Sequence, residues 1–330
     1  MELVTLKNRA DGNYFKRLRV KTKTASIFLT IVRTVLLLGL SFIIVYPLLY
    51  MFSMSFRPQA DILDPSVIWI PRTFTLSNII GVAKVMNYGA TLVNTLTIGV
   101  VSSLLAVASC CVVGYGFARF KFKGKNILFA CVIFSIIVPP QITIIPQYLD
   151  FRFFDFFYIG KLLGLVLKKE VTINLINSVW SMYLPAAFAN GIRSGLFIYI
   201  FRQFFRGLPK DLEDAACVDG CGPIKTFLKI MLPLSTSALI TVFLFSFVWY
   251  WNDYFYSGMF FSNGNTISLT LASLQSRLYS LSVSGIALDP YSMIVKMQSG
   301  CLLAVLPPLL IFIVFQRYFT ESIERTGIIG

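Results

Sequence analysis

The residues of this chain that could perform chemistry are concentrated in one polar stretch, residues 208–233, between two strongly apolar segments. It holds four carboxylates and two thiols: Asp211, Glu213, Asp214, Asp219, Cys217 and Cys221. The spacing of Cys217 and Cys221 would suit a zinc site, but the chain has no histidine and no second cysteine pair nearby. The nearest approach to a nucleotide-binding loop, GCGPIKT at 220–226, lacks the glycine before the lysine and has no preceding strand. The stretch therefore predicts protein docking.

The polar stretch predicts one short helix with defined ends. Asp211 is the expected N-cap with Asp214 as its partner in a capping box, and Gly220 is the expected residue just past the helix end. Helical spacing places four residues on one face: Leu212, Ala215, Ala216 and Asp219. An ordinary solvated loop could carry such a helix too, but a small and mostly apolar face favours close approach by another protein.

The composition is that of a polytopic membrane protein. Of 330 residues, 56% are hydrophobic and 13% are charged, with a mean hydropathy of +0.75; soluble domains average about 25% charged residues. The formal charge of +14 could indicate nucleic acid, but the basic residues form short clusters between apolar spans, as topology signals do. We therefore expect lipid and no nucleic acid around the chain. The absence of histidine removes imidazole bases and the commonest metal ligand, which disfavours an enzyme, and we expect no cofactor and no metal.

Six apolar runs are long enough to cross a bilayer core of about 30 Å. They cover residues 27–54, 92–118, 127–149, 176–201, 232–255 and 298–319. The segments predicted inside hold 18 Lys and Arg and those predicted outside hold nine, which places both termini in the cytoplasm. The predicted fold is an all-α membrane protein with six transmembrane helices.

The segments that flank these runs complete the predicted organisation. Residues 1–26 form a basic cytoplasmic leader, and residues 27–330 form the transmembrane domain that contains the polar loop 208–233. Three prolines prevent one long helix in the outside segment 55–91. Segment 150–174 is predicted to be an amphipathic helix at the outer interface.

Two features within the spans could contact a solute. Arg193 lies inside the fourth run, where a cation must face protein or water; it either lines a pathway or pairs with carbonyls or a partner subunit. The string WYWNDYF at 249–255 ends the fifth run. It is either an aromatic belt at the interface or a sugar-contacting group. The residues concerned in that second interpretation are Trp249, Trp251, Asn252 and Asp253.

The polar stretch resembles the EAA motif of permease subunits in binding-protein-dependent ABC importers. The matching positions are Asp214, Ala215, Ala216, Gly220, Ile230, Leu232 and Pro233. The string LEDAACVDG resembles the carbohydrate branch, the maltose-type or MalG-like permeases, with Asp214 where a glutamate is usual. Further strings in the family's order are SFRP, NTLTIGVVSSLLA, YGFARFKFKGK, VPPQITIIPQYL and FRQFFRGLPKDLEDAACVDG.

The resemblance implies the type I ABC importer permease fold and a sugar or oligosaccharide substrate. The implied partners are a second homologous, MalF-like permease, ATP-binding subunits and an extracytoplasmic solute-binding protein. The short helix would be the coupling helix, with Leu212, Glu213, Asp214, Ala215, Ala216, Asp219 and Gly220 at the ATPase. The rival classes are a stand-alone transporter or channel and a membrane enzyme. Intramembrane acid relays, inverted repeats or convergent carboxylates would favour these, and the sequence shows none of them.

Overall fold

The computed structural model describes residues 2–62, 64, 66–67, 69–155, 172–262, 266–283 and 290–327, and their regular structure is helical. The chain divides into two compact units, residues 1–76 and 77–330. The first contains α1 (Glu2–Ser55), in which Ser26–Ser55 is long and apolar enough to cross a membrane, and the short α2 (Gln59–Ile62). This agrees with the first predicted run.

The rest of the first unit is an irregular segment held by polar contacts. The Arg72 guanidinium lies 2.6 Å from the Asp64 carboxylate, and the backbone N–H of Thr75 donates to the Phe56 carbonyl at 3.0 Å. The Ser53 hydroxyl donates to the Trp69 carbonyl. As predicted from its prolines, the segment after residue 55 does not continue as one long helix.

The second unit is built on α4 (Tyr88–Arg119), a continuous candidate span. The other helices are α3 (Ser77–Val85), α5 (Lys125–Ile137), α6 (Pro140–Arg152), α7 (Trp180–Ala187), α8 (Ser194–Gly207), α9 (Asp211–Val218), α10 (Pro223–Thr226), a π-helix (Phe227–Met231), α11 (Leu232–Leu234), α12 (Thr236–Trp251), α13 (Phe255–Phe260), α14 (Ile267–Ala272), α15 (Leu274–Val283) and α16 (Pro290–Gly327). Helices α7, α8 and α12 pack against α4.

The contact between α4 and α8 is close because α4 has a glycine there. A Cβ atom on Gly114 would lie 2.5 Å from the Cβ of Phe201 and 3.1 Å from the backbone nitrogen of Arg202. Small residues at such positions let two membrane helices approach at backbone distance. Around this contact the buried core of the unit includes Cys110, Tyr115 and Phe205.

Two of the predicted spans are bent helix pairs. The run 127–149 forms α5 and α6, which meet at 102°, because Pro140 begins the second helix and the residue before a proline avoids the helical conformation. The fifth run forms Pro223–Leu234 and α12, which meet at 74°. The π-helix ends two residues before Pro233, whose missing N–H and ring do not fit a regular α-turn onto Lys229.

The predicted fourth span, 176–201, is not a continuous helix. It is divided into α7, of eight residues, and α8, of 14 residues, and at about 1.5 Å per residue neither crosses a core of about 30 Å. Ala189 and Arg193, between the two helices, have left-handed backbone conformations with φ of 54° and 59°. Arg193 therefore lies at the start of a helix and not in the middle of one.

The described residues contain three helices that could each cross a membrane, or five spans when each bent pair is counted as one. The third continuous candidate, Tyr291–Gln316 within α16, agrees with the sixth predicted run. The count of six spans stays a prediction. Most of the predicted interfacial helix at 150–174 lies outside the described residues.

Candidate functional site

The short helix predicted in the polar stretch is α9 (Asp211–Val218), but its first residue differs from the prediction. Lys210, with helical backbone angles, holds the N-cap position, and no side chain caps it. Asp211 is therefore inside the first turn, so the predicted capping box with Asp214 is wrong. The first turn instead carries three acids, Asp211, Glu213 and Asp214, whose charges are favourable beside the positive end of the helix dipole.

Gly220 ends α9 as predicted. Its φ is +73°, a conformation that residues with a Cβ atom rarely adopt. The N–H of Gly220 donates to the Cys217 carbonyl at 3.0 Å and that of Cys221 donates to the Ala216 carbonyl at 2.9 Å. This pair of bonds is the Schellman arrangement, and it fixes the direction in which the chain leaves the helix.

The predicted small face of α9 is divided between the interior and the surface. Ala216 is only 2% exposed and Leu212 is half-buried, whereas Ala215 and Asp219 are exposed. Val218 is 88% exposed. The surface that another protein could touch is therefore centred on Ala215 and Val218, and Ala216 supports it from beneath.

Glu213 anchors α9 to α4. Its Oε1 accepts a hydrogen bond from the Tyr115 hydroxyl at 3.0 Å and lies 3.5 Å from Nε of Arg119. The Arg119 guanidinium also donates to the Leu208 carbonyl at 2.8 Å. Side chains of Glu213 and Arg119 are 23% and 7% exposed, so this ion pair is shielded from solvent more than a surface pair. We call these contacts of Glu213 with Tyr115 and Arg119 the Glu213 anchor.

The ring of Tyr115 is fixed by three other aromatic side chains. Its centroid lies 5.3 Å from that of Phe205 at the end of α8, 4.8 Å from that of Phe227 in the π-helix, and 5.6 Å from that of Phe120. Tyr115 thus touches α8, α9 and the π-helix at once. Sequence reasoning missed Tyr115 and Arg119 as parts of the site, because their string YGFAR indicated only topology and family resemblance.

Arg193 and Trp249, two of the predicted solute-contacting residues, are brought together. Cζ of Arg193 lies 4.4 Å from the ring centroid of Trp249. Both side chains are exposed on the isolated chain, and Arg193 lines an open cleft of about 470 Å³. The polar part of this cleft also includes Gln147, Asn190 and Thr143.

The other three residues of that prediction make hydrogen bonds within the chain, and Asn252 is also exposed. Trp251 is 2% exposed and its indole N–H donates to the Ala304 carbonyl at 3.1 Å. The Asn252 side chain donates to the Val248 carbonyl at 3.0 Å. The Asp253 carboxylate accepts from the backbone N–H groups of Tyr256 and Ser257 and from the Ser257 hydroxyl, at 2.6 to 3.1 Å, which satisfies the first turn of α13. None of these contacts points to a solute.

Cys217 and Cys221 are free thiols. Among the described residues no group of three or more His, Cys, Asp or Glu side chains is arranged to hold a metal ion.

Comparison with known families identifies the chain. Residues 111–325 match the family described as binding-protein-dependent transport system inner membrane component. The chain belongs to this family. It is 30% identical to the osmoprotective compounds uptake permease GgtD of Synechocystis sp. over 87% of this chain and 88% of that protein. It is 29% identical to the arabinooligosaccharides transport system permease AraQ of Halalkalibacterium halodurans, over 94% of this chain and the whole of that protein.

A solved structure confirms the fold. The chain is similar to a chain of a bacterial ABC transporter involved in the import of the acidic polysaccharide alginate, with a TM-score of 0.65 and 22% identity, over 88% of this chain and 96% of that one. At this identity the likeness shows the fold alone. The all-α ABC importer permease fold predicted from the sequence is therefore confirmed.

Membership of this family defines the role of the chain. It is a membrane-embedded transport subunit and not a catalyst. A binding-protein-dependent importer also contains ATP-hydrolysing subunits, a second permease and a solute-binding protein, so these are the partners of the chain.

Proposed function

We propose that the chain is one of two permease subunits of an ATP-driven carbohydrate importer, with both termini and the loop 208–233 in the cytoplasm. The second permease is a homologous, MalF-like chain. Support for the substrate class comes from AraQ, a named arabinooligosaccharide permease whose full length matches 94% of this chain. Support for the orientation comes from the excess of Lys and Arg in the predicted inside segments. Residues 1–26 then form a cytoplasmic leader, and residues 27–330 form the permease domain.

The observation that carries the proposal is that α9 is exposed on one side and fixed on the other. Ala215 and Val218 offer a small apolar surface to a partner, with Asp211 and Asp214 beside it. The Glu213 anchor and the Gly220 turn hold the helix against the rest of the unit. A helix attached in this way transmits the motion of a docked ATPase subunit to α4 and does not move independently of α4. Packing at Ala215 and Val218 supplies more binding energy than the acids, because exposed ion pairs contribute about 0 to 1 kcal/mol each.

In the proposed cycle, ATP closes the two ATPase subunits, and their motion moves α9 of each permease. The helices packed on α4 follow, and the space between the permeases opens outward to receive a sugar from the binding protein. ATP hydrolysis returns the permeases to the inward-open form. Arg193 and Trp249 line this solute pathway, since both side chains are exposed and in contact with each other.

The function is tested by reconstitution of the importer in proteoliposomes. The permease, its second permease and the ATPases are purified as a complex, and uptake of radiolabelled oligosaccharides is measured with and without the solute-binding protein and ATP. We expect uptake that requires both. Solute movement by the isolated permease down an ion gradient, without an ATPase, would show that the proposal is wrong.

The role of α9 is tested by a pair of glycine variants. Gly220→Val places a β-branched residue at a φ of +73°, whereas Gly222→Val adds the same side chain at a φ of −72°. An added Cβ atom meets nothing within 4 Å at either position, so only the backbone conformation differs. The left-handed conformation costs a β-branched residue about 1–2 kcal/mol or more. We expect Gly220→Val to abolish ATP-driven uptake with normal membrane insertion and Gly222→Val to retain it. Equal uptake by the two variants would remove the coupling role.

A further inference from the structure

The open cleft beside Arg193 carries one positive charge among neutral polar groups. Its walls come from α5, α6, α8, the segment between α7 and α8, and Tyr256 of α13. Arg193 is the one charged side chain in its described lining, and no described carboxylate lines it. Gln147, Asn190 and Thr143 add amide and hydroxyl groups that can hydrogen-bond to sugar hydroxyls.

Among the described residues, no carboxylate compensates the charge of Arg193. It immediately precedes α8, so the cation lies beside the positive end of a helix dipole, where a negative group would be favoured. No described carboxylate comes within 4 Å of the guanidinium. The neighbouring Ser194 also lines the cleft, and its buried hydroxyl has no hydrogen-bond partner among the described residues. This end of α8 is therefore suited to an anion that the described part of the chain does not supply.

Trp249 holds the guanidinium in an orientation that can receive such an anion. With Cζ 4.4 Å from the ring centroid, the cation rests against the indole. An aromatic ring stabilises a guanidinium without using its in-plane N–H donors. Two parallel N–H donors on one edge of the guanidinium match the two oxygens of a carboxylate. This charged, two-point interaction is stronger than a hydrogen bond between neutral groups.

We propose that this cleft binds a carboxylate-bearing sugar, so that the solute of the importer is an acidic oligosaccharide such as one built from uronic acids. The carboxylate pairs with Arg193, and the sugar hydroxyls bond to Gln147 and Asn190. This inference rests on the proposed carbohydrate function and adds a charge to the substrate. A neutral sugar of the same shape would leave the Arg193 donors unpaired and so bind more weakly.

Cys131 provides a natural reporter of the cleft. It is an exposed free thiol that lines the cleft, and Cys217 on α9 is an exposed free thiol that does not. The assembled importer in nanodiscs, nucleotide-free and ATP-bound, is treated with N-ethylmaleimide, and alkylation of each cysteine is followed by peptide mass spectrometry. The probes are digalacturonate and its neutral methyl ester, which share the sugar skeleton and differ in the esterified carboxyl groups. We expect digalacturonate to protect Cys131, with the ester needing about tenfold higher concentration or more, and no change at Cys217.

Two arginine variants complete the test. Arg193→Gln should abolish the difference between acid and ester. Arg152→Gln removes another arginine that stacks on an aromatic ring, that of Phe153, but lines none of the described clefts, and it should keep the difference. Equal protection by the acid and the ester, or no protection of Cys131 by either, would overturn the inference. So would loss of the second permease from the Arg193→Gln complex, because Arg193 would then pair with an acid of that subunit.

Failure of the inference is separable from failure of the proposed function. If proteoliposomes import neutral oligosaccharides with ATP and Arg193→Gln does not change that uptake, the carbohydrate function stands and the acidic substrate is wrong. If neither neutral nor acidic oligosaccharides are imported, both are wrong.

Discussion

The carboxylate of Glu213 is the point at which α9 is attached to the body of the permease. Its partners, Tyr115 and Arg119, lie in the last two turns of α4, nearly 100 residues earlier in the chain. The side chain of Arg119 is almost completely buried, so Glu213 supplies the negative charge that this cation needs. Glu213 was expected to face the ATPase; in the structure it bonds to its own chain, and Asp211 and Asp214 remain exposed for the partner.

Replacement of Glu213 tests whether this attachment transmits motion. Glu213→Gln keeps an acceptor for the Tyr115 hydroxyl but leaves Arg119 buried without a counter-charge, a loss of about 1–3 kcal/mol. We expect a lower Tm of the purified complex and several-fold slower uptake, with ATP hydrolysis less affected than transport. Thermal unfolding, ATPase rate and uptake are measured on the same preparation.

Asp211→Asn is the matched control for that variant, because it removes one acidic charge from the same helical turn at an exposed residue without an ion pair among the described residues. It should leave Tm and the ratio of uptake to hydrolysis close to the unmodified values. If Glu213→Gln behaves like Asp211→Asn, the anchor has no role in transmission.

At the scale of elements, the break between α7 and α8 is stabilised by side chains from two other helices. The Ser109 hydroxyl of α4 donates to the Ala186 carbonyl at 2.6 Å. The Ile192 N–H donates to the Tyr250 hydroxyl oxygen of α12 at 3.3 Å. Inside a membrane, backbone groups released by an interrupted helix must find partners within the protein. The break is therefore a built part of the fold, and it positions Arg193 at the start of α8.

Gly191 is the residue on which this break depends most closely. A Cβ atom there would lie 2.5 Å from the Tyr250 hydroxyl oxygen and 3.0 Å from Cα of Ala186. We expect Gly191→Ala to lower stability by about 1–3 kcal/mol, because both neighbours must move. Thermal unfolding of the complex in detergent measures this effect.

Gly207→Ala serves as the control, since its added methyl group meets nothing within 4 Å at the end of α8. Alanine is favoured over glycine in a helix by about 1 kcal/mol, so this variant should be as stable as the unmodified chain or slightly more so. Equal Tm values for Gly191→Ala and Gly207→Ala would mean that the break relaxes without strain.

At the scale of the whole molecule, the long uninterrupted spans were predictable and the broken ones were not. The ends of the predicted runs 92–118 and 298–319 lie within one to seven residues of the ends of α4 and of the apolar part of α16. The break in the fourth span was not predicted, because its left-handed residues, Ala189 and Arg193, are residue types that rarely indicate a turn. Its stabilising partners also come from distant segments.

The candidate site was likewise predictable only in part. The end of α9 was predictable because a left-handed residue past a helix is usually glycine, as at Gly220. The attachment of α9 to α4 through Glu213 was not predictable, because Tyr115 and Arg119 reach Glu213 only through tertiary structure. The WND string at 251–253 predicts solute contact from residue type alone, and this stays a prediction. The sequence did not show that Trp251 is buried or that Asn252 and Asp253 bond to nearby backbone.

The orientation of the whole permease is tested by two cysteines on opposite predicted sides. Cys217 is exposed on α9 and should lie in the cytoplasm, and Thr73→Cys would place an exposed thiol in the predicted outside segment 55–91. A membrane-impermeant maleimide should modify Cys217 only in inside-out vesicles and the new cysteine only in right-side-out vesicles. A permeant maleimide applied to both preparations controls for reactivity. Modification of Cys217 in right-side-out vesicles would place α9 outside, where no ATPase can reach it, and would refute both the orientation and the coupling role.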